Sequence, residues 1–558
     1  MRSTSTIAHT WLKKKSTLYT LVLIVCCSLS AVAQNADFLT GRLIDQTSGE
    51  PVVFATLRLK GYALGVISDK DGGFRIPIEY RDKGTELEIS CLGYQTVTFP
   101  FSGFNANGVA LIRLRPVTFE LTESVVSAKR KKLNAEQIVR YALNNIPTNF
   151  PTSPYGLVGY YRDFQLQDEQ YINLNEALIE VLDQGFQSLD PTLTNFLLYK
   201  YKKNTSFPVD SFAAKPYDYI EWDKVALSAE VPSYGGNELL LLRVHDAVRN
   251  HNINTYSFVN RIRQDFIPAH FLNLKGIAAY DGRRVFEIAI SRETVKHRAT
   301  GRMFIDEETF AIRRMDYQVE EYTLASSRRS GAMNEVQGTD DSNPNPNVKR
   351  NSRLLYKINV EYKEQADRPK GKLYLNYISF ENVFRLLRPA PFRVENIVLD
   401  LNKREIEVWL NKPPANLEDI NRGAFQVEFL GRKVPIEAAT FDDKDNKVVL
   451  RVTRSKLRKR HIELLFSPDF DVSKSKLSVT SRRLRDENDN KLGDREQEQL
   501  RQFREFFTQK VVPYRRGTRK SEKMDKDSPL FDPDQPIFQL EGSSEFWMNT
   551  PLPAARKQ

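Results

Sequence analysis

Cysteine, histidine and long apolar runs are scarce in this chain, and each scarcity closes off a class of function. Three cysteines occur in 558 residues, Cys26, Cys27 and Cys91. The first two lie in an N-terminal apolar run, so removal of that run leaves Cys91 alone and forbids an intramolecular disulfide. Beyond His9 the histidines are His245, His251, His270, His297 and His461. None has H-E-x-x-H or H-x-x-E spacing, and the interval between His245 and His251 does not put both on one helix face, so no zinc peptidase site is expected. No G-x-S-x-G elbow, P-loop or Gly-rich dinucleotide fingerprint occurs. Acid pairs such as Glu307-Glu308 and Asp442-Asp443 fall in turn-like sequence, where carboxylates are ordinarily solvated. A glycosidase pair drawn from distant strands needs no motif and stays open. The expectation is no catalytic residue, no metal and no cofactor.

The one strongly apolar run reads as an address. Residues 1–33 have the form of a secretory signal: Lys13, Lys14 and Lys15, then apolar residues 18–29, then Ala31-Val32-Ala33 as a small-residue cleavage site. A lipidated cysteine wants a small residue before it, and Val25 precedes Cys26. No later run is long and apolar enough to span a bilayer. Cleavage removes Arg2 and three lysines but no acid, lowering the formal charge from +11 to +7. The rest, 41% hydrophobic and 27% charged, is rich enough for several cores; at roughly 150 residues each, three or four domains are expected.

What the chain does have is period-two alternation. In residues 36–116, Leu87, Ile89 and Cys91 oppose Glu86, Glu88 and Ser90, and Ala55, Leu57 and Leu59 oppose Thr56, Arg58 and Lys60. About seven short strands separated by turn residues give the spacing of an antiparallel sandwich. Asp69 and Asp71 before Gly72 have the start of a calcium loop, but Phe74-Arg75-Ile76-Pro77 supplies no late ligand, so a tight turn is expected. Cys91 faces inward as a structural thiol.

Five motifs in order, Gly41-Arg42-Leu43-Ile44-Asp45, Thr47-Ser48-Gly49-Glu50-Pro51, Ala55-Thr56-Leu57-Arg58-Leu59, Ser68-Asp69-Lys70-Asp71-Gly72-Gly73-Phe74 and Leu92-Gly93-Tyr94, resemble the carboxypeptidase regulatory-like domain. The resemblance implies a transthyretin-like sandwich and a structural or docking module. Such modules often sit in front of TonB-dependent receptors and other envelope proteins of Gram-negative bacteria. It carries no catalytic residue across.

Residues 117–133 read as a basic linker, with Lys129-Arg130-Lys131-Lys132. Export makes nucleic acid an unexpected partner for that run, and a solvated linker is the default. Residues 134–388 form a central domain. Asn134 and Gln137 mark a capping box, Ala135, Ile138, Val139, Ala142, Leu143 and Ile146 share one helix face, and Pro147 stops it. Antiparallel strands follow, with turns at Asp281-Gly282 and Asp306 to Thr309, and a mobile loop over 326–352. Residues 280–288 and 300–312 resemble the half-barrel of outer-membrane lipoprotein carriers. That resemblance implies an acyl-binding cup, with Phe286, Ile288 and Ile305 as candidate ligand-binding residues. The alternative is that the same residues fill a core.

Residues 392–494 alternate again (Ile406, Val408 and Leu410 against Glu405, Glu407 and Trp409), with a hairpin at Gly431 and strands expected over 448–453 and 462–466. Residues 484–492 resemble the closing strand and turn of bacterial Ig-like domains. Asp486, Asn488 and Asn490 have the look of calcium ligands, but Lys491 stands where such a loop needs glycine. A short helix is expected over 495–508, from the stripe Leu500, Phe503 and Phe507. Residues 509–558 read as a basic, largely disordered tail. In it Arg515, Arg516, Phe546 and Trp547 are candidate partner contacts, with packing onto the chain itself equally consistent.

The expected fold class is mainly β and multi-domain: an N-terminal transthyretin-like β-sandwich, a central antiparallel α+β domain with the half-barrel as one form of it, and a C-terminal Ig-like β-sandwich. The expected role is non-enzymatic, a binding or scaffold component in the periplasm, at the outer membrane or on the cell surface. Its partner would be an outer-membrane protein such as a TonB-dependent receptor, or an envelope lipid or glycan. It would associate with a membrane without spanning one. The alternative is a hydrolase on polysaccharide or peptide, with its active site in the central domain.

Overall fold

Alternation in the first described stretch builds seven strands: β1 (Phe38–Asp45), β2 (Thr56–Leu59), β3 (Gly65–Ile67), β4 (Gly73–Pro77), β5 (Glu86–Ser90), β6 (Val97–Pro100) and β7 (Val109–Leu114). They form two sheets, ordered β4-β1-β7 and β3-β2-β5-β6. The inward residues named from the sequence are the core: Leu57, Leu59, Leu87 and Ile89 are almost wholly buried. Asp69 closes a tight turn by accepting from the backbone N–H of Asp71 (2.9 Å) and Gly73 (2.7 Å).

The computed structural model describes residues 38–60, 62, 64–82, 86–105, 108–117, 133–226, 234–254, 259, 261–280, 282–323, 351–365, 368–453, 459–467, 477–539 and 545–552. The signal over 1–33, the basic run of the linker and the loop as far as residue 350 lie outside the described residues. Among the described residues no helix is long and apolar enough to cross a membrane.

The chain divides into two compact units. One takes the residues up to Tyr217, Ala226–Phe384 and those from Arg501 on; the other takes Asp218–Val225 and Arg385–Leu500. In the first, helix α1 (Ala135–Asn144) carries the expected capping box, Asn134 Oδ1 accepting from Gln137 N (2.9 Å) and Asn134 N donating to Gln137 Oε1 (3.1 Å). Its buried stripe is the expected one. Short helices α2 (Glu238–Val244) and α3 (Phe266–Ala269) follow. The strands are β8 (Tyr155–Gln167), β9 (Gln170–Asp183), β10 (Asn195–Lys203), β11 (Lys224–Ala226, of which only Ala226 falls in this unit), β12 (Phe271–Tyr280), β13 (Arg283–Glu293), β14 (His297–Asp306), β15 (Ile312–Thr323), β16 (Asn351–Glu364) and β17 (Leu373–Leu387, in this unit as far as Phe384).

The second unit holds β18 (Val394–Asp400), β19 (Glu405–Leu410), β20 (Phe425–Phe429), β21 (Arg432–Val434), β22 (Ile436–Asp442), β23 (Lys447–Val452) and β24 (Leu477–Ser481). Sheets β18-β19-β23-β22 and β21-β20-β24 enclose one core that includes Ile406, Val408, Val427 and Leu450. The expected strand at 462–466 is instead the helix Lys459–Leu465. Ile462 and Leu465 are buried and Leu464 is exposed, a three-residue spacing that suits a helix better than a strand. Asp486 folds its loop by accepting from the N–H of Asn488 and Asn490 and from the Asn490 carboxamide, so its neighbours serve as turn donors.

The expected helix at 495–508 is also a strand, β25 (Gln497–Pro513), seventeen residues long. It lies between β8 and β17 in an open sheet ordered β10-β9-β8-β25-β17-β16-β15-β14-β13-β12, with β11 paired to β17. Leu500, Phe503 and Phe507 fit a helical stripe, but Gln502, Arg504, Phe506 and Thr508 are buried too. Only a strand covered on both faces buries them all. Nor is the chain after it a loose tail. Met524 N donates to Phe196 O (2.9 Å) and Phe538 N to Leu198 O (2.7 Å), so the segment lies along β10, the outermost strand of the sheet.

That sheet has helices on one face and the N-terminal sandwich on the other. This is why the polar residues Asn359, Glu361 and Lys363 of β16 are buried. Lys363 Nζ donates to Ser90 Oγ of the sandwich (3.1 Å) and Arg58 donates to Asn376 Oδ1 (2.5 Å).

Candidate functional site

Register puts Phe286 opposite Ile305 and Ile288 opposite Met303, so the three proposed cup residues do share one face of the sheet. That face is covered by the chain itself. Ile288 and Ile305 are fully buried, and α1 packs against β12 and β14. The half-buried Phe286 stacks on Phe310 (6.3 Å between ring centres), and Phe310 meets Tyr141 of α1 (5.2 Å). The apolar stripe of α1 covers this face, with Ile288 and Ile305 in the core and Phe286 half-buried.

Further along the same face the cover is polar. Arg243 of α2 donates to Asp190 (2.6 Å) and Asp183 (2.8 Å), while Arg249 donates to Asp183 (3.0 Å) and to Ser188 Oγ (2.9 Å). Two guanidinium groups and two carboxylates thus neutralise one another inside the protein, where any one of them alone would be costly. Arg504 of β25 pairs with Glu238 and donates to Asn382 Oδ1 (2.7 Å). His245 lies flat on Phe380 (3.8 Å), and burial pushes its pKa down to about 4. His270 Nε2 bonds Tyr317 Oη (2.8 Å), and burial again lowers its pKa to about 4. Both rings are neutral at physiological pH. Among the described residues no three histidine, cysteine or acidic side chains come together to hold a metal.

A groove of about 520 Å³ runs past Phe271, Ser291, Arg292, Glu293, Thr294 and Arg298 at the β12 side of the sheet. A much smaller cavity of about 20 Å³ beside Ser188, Arg249 and His251 has room for about one water.

The candidate partner contacts are mostly spent internally. Phe546 and Trp547 are buried in the core shared by the sandwich and the sheet, so they are not available to another molecule in this arrangement. Arg515 donates to Glu180 (3.1 Å) and covers the Phe538 ring. Arg516 alone of the four is exposed. The burial follows from the sheet's need for a second cover, which no local pattern announces.

Sequence reasoning missed the buried charges altogether. Arg162, fully buried on β8, pairs with Glu505 of β25. Glu176 and Glu180 of β9 are buried on the same face as Leu178 and Leu182. A signal was available: acids recurring at even spacing inside a long apolar strand must sit beneath something that satisfies them.

Residues 39–126 match the family model of the CarboxypepD_reg-like domain. No curated protein matches the chain. Among solved structures, a DUF1329 family protein from Desulfovibrio piger is similar at 11% identity and a TM-score of 0.19, covering 45% of this chain and 87% of its own. A LolA superfamily protein from Nitrosomonas europaea is similar at 13% identity and a TM-score of 0.17, covering 45% and 86%. At those scores neither carries an argument about what this chain binds. The comparisons assign the N-terminal sandwich, and that part alone, to the CarboxypepD_reg-like domain family.

Proposed function

We propose that the protein is a non-enzymatic scaffold of a bacterial envelope, exported and held against the outer membrane by a protein partner there, of the TonB-dependent receptor kind. The observation that carries this reading is the fusion of a CarboxypepD_reg-like sandwich to the sheet through direct side-chain bonds. Such a fusion makes a preorganised surface, which favours docking by lowering the ordering cost of association. The filled helix-bearing face supports a protein partner over a lipid.

Fractionation of cells making the full chain tests it. The expected result is recovery of the processed chain with outer membranes, released by high salt and free of stoichiometric lipid. Recovery in the cytoplasm, a tightly held acyl chain, or hydrolysis of a glycan or peptide by the pure protein would each overturn it.

A further inference from the structure

Residues 545–552 contact the rest of the protein in an unusual way. Among the described residues no strand pairs with this segment; side chains read it. Trp547 Nε1 donates to Arg75 O (2.9 Å), and its ring lies against Tyr80 (5.7 Å). Two residues on, the Asn549 carboxamide is used at both ends: Oδ1 accepts from Arg75 N (2.8 Å) and Nδ2 donates to Ile67 O (2.8 Å). Those are backbone groups of β4 and β3, on the sandwich side. From the sheet side, Gln509 Nε2 donates to Trp547 O (3.0 Å) and Tyr160 Oη to Asn549 O (3.1 Å). Thr550 Oγ1 donates to Glu176 (3.2 Å).

This is the pattern of a peptide in a groove. An indole fills an apolar pocket, a carboxamide clamps exposed backbone, and main-chain carbonyls accept from the walls. A second observation bears on it. Arg162 Nη2, Arg75 Nε and Gln509 Oε1 line the groove, are buried, and have no hydrogen-bond partner among the described residues. Buried polar atoms are normally satisfied, so the present occupant leaves part of the groove's hydrogen-bonding capacity unused.

We propose that the groove between the N-terminal sandwich and the sheet is a peptide-recognition site, occupied in cis by residues 546–552. It selects an extended segment with tryptophan followed two positions later by asparagine. The segment acts as an exchangeable ligand of its own chain, and the same sequence supplied in trans takes its place. The proposal does not rest on the envelope reading.

The test uses the full chain. Asn549→Asp puts an acceptor against Ile67 O and loosens the segment; a double variant, Trp547→Ala with Asn549→Ala, removes both anchors. A fluorescent peptide covering residues 544–553 is titrated by anisotropy. Both variants are expected to bind it, and an Asn549→Ala peptide is expected to bind about tenfold more weakly. The unaltered chain should also bind at least about tenfold more weakly, because its own segment competes at an effective concentration of about a millimolar. Absence of binding by the variants, indifference to the Asn549 change, or unfolding of both variants by circular dichroism would overturn the proposal. In the last case the segment is core and not ligand.

Discussion

Asp163 stands on β8 facing the helices, almost fully buried, between Arg504 of β25 and Asn175 of β9. It accepts from Tyr161 Oη (3.0 Å) and Asn175 Nδ2 (2.8 Å). Burial, with the nearby Glu238 carboxylate adding to it, pushes its pKa up from 3.8 to about 7. The folded state therefore prefers the protonated acid. Below pH 3.8 both states hold the proton and the group costs nothing. As pH rises the unfolded chain ionises first, and stability falls by about 1.4 kcal/mol per unit until the folded group follows near pH 7. The accumulated penalty has a ceiling of roughly 4 kcal/mol.

Asn at this position keeps the shape. Its oxygen accepts from Asn175 and its amide donates to Tyr161 Oη, at a cost of about 1 kcal/mol for reorienting that hydroxyl. The variant Asp163→Asn is thus expected to exceed the parent by about 2–3 kcal/mol in urea unfolding at pH 8, and to fall below it by up to about 1 kcal/mol toward pH 3, where the parent's penalty is gone and the reorientation cost remains. A gap independent of pH, or a less stable variant at pH 8, would refute the reasoning.

Arg243→Ala leaves Asp183 and Asp190 with only Arg249 inside the protein, and should cost about 3–5 kcal/mol; a loss below about 1 kcal/mol in the same assay would show the cage to be solvated. Ile305→Ala should cost about 2–5 kcal/mol through the cavity it leaves. If it instead left stability alone and changed binding of a fluorescent fatty acid, the filled-face account would fail.

Turn chemistry and strand alternation in residues 38–114 were legible because the turns are local and each short strand shows one face to a single core. The helix at 135–144 was legible for a similar reason: its cap and stripe are local. The central site was legible only in part. Phe286, Ile288 and Ile305 do share a face, yet whether that face holds a ligand depends on α1, whose stripe reads the same whether it covers a core or an empty cup.

Order along the chain misled most at β25. Its neighbours β8 and β17 are distant in sequence, and a strand buried on both faces loses the alternation that identifies it. The same long-range closure buried Phe546, Trp547 and the charges at Arg162, Glu176, Glu180 and Glu505.

By itself the sequence determined the periodicities, the caps and turns, the lone Cys91 beyond its leader-like run and the CarboxypepD_reg-like motifs, all of which are set within a few residues of one another. Tertiary structure alone decided which faces are covered twice, where the segment around Trp547 lies, and which ionised groups meet inside. Burial and charge pairing depend on what arrives from elsewhere in the chain.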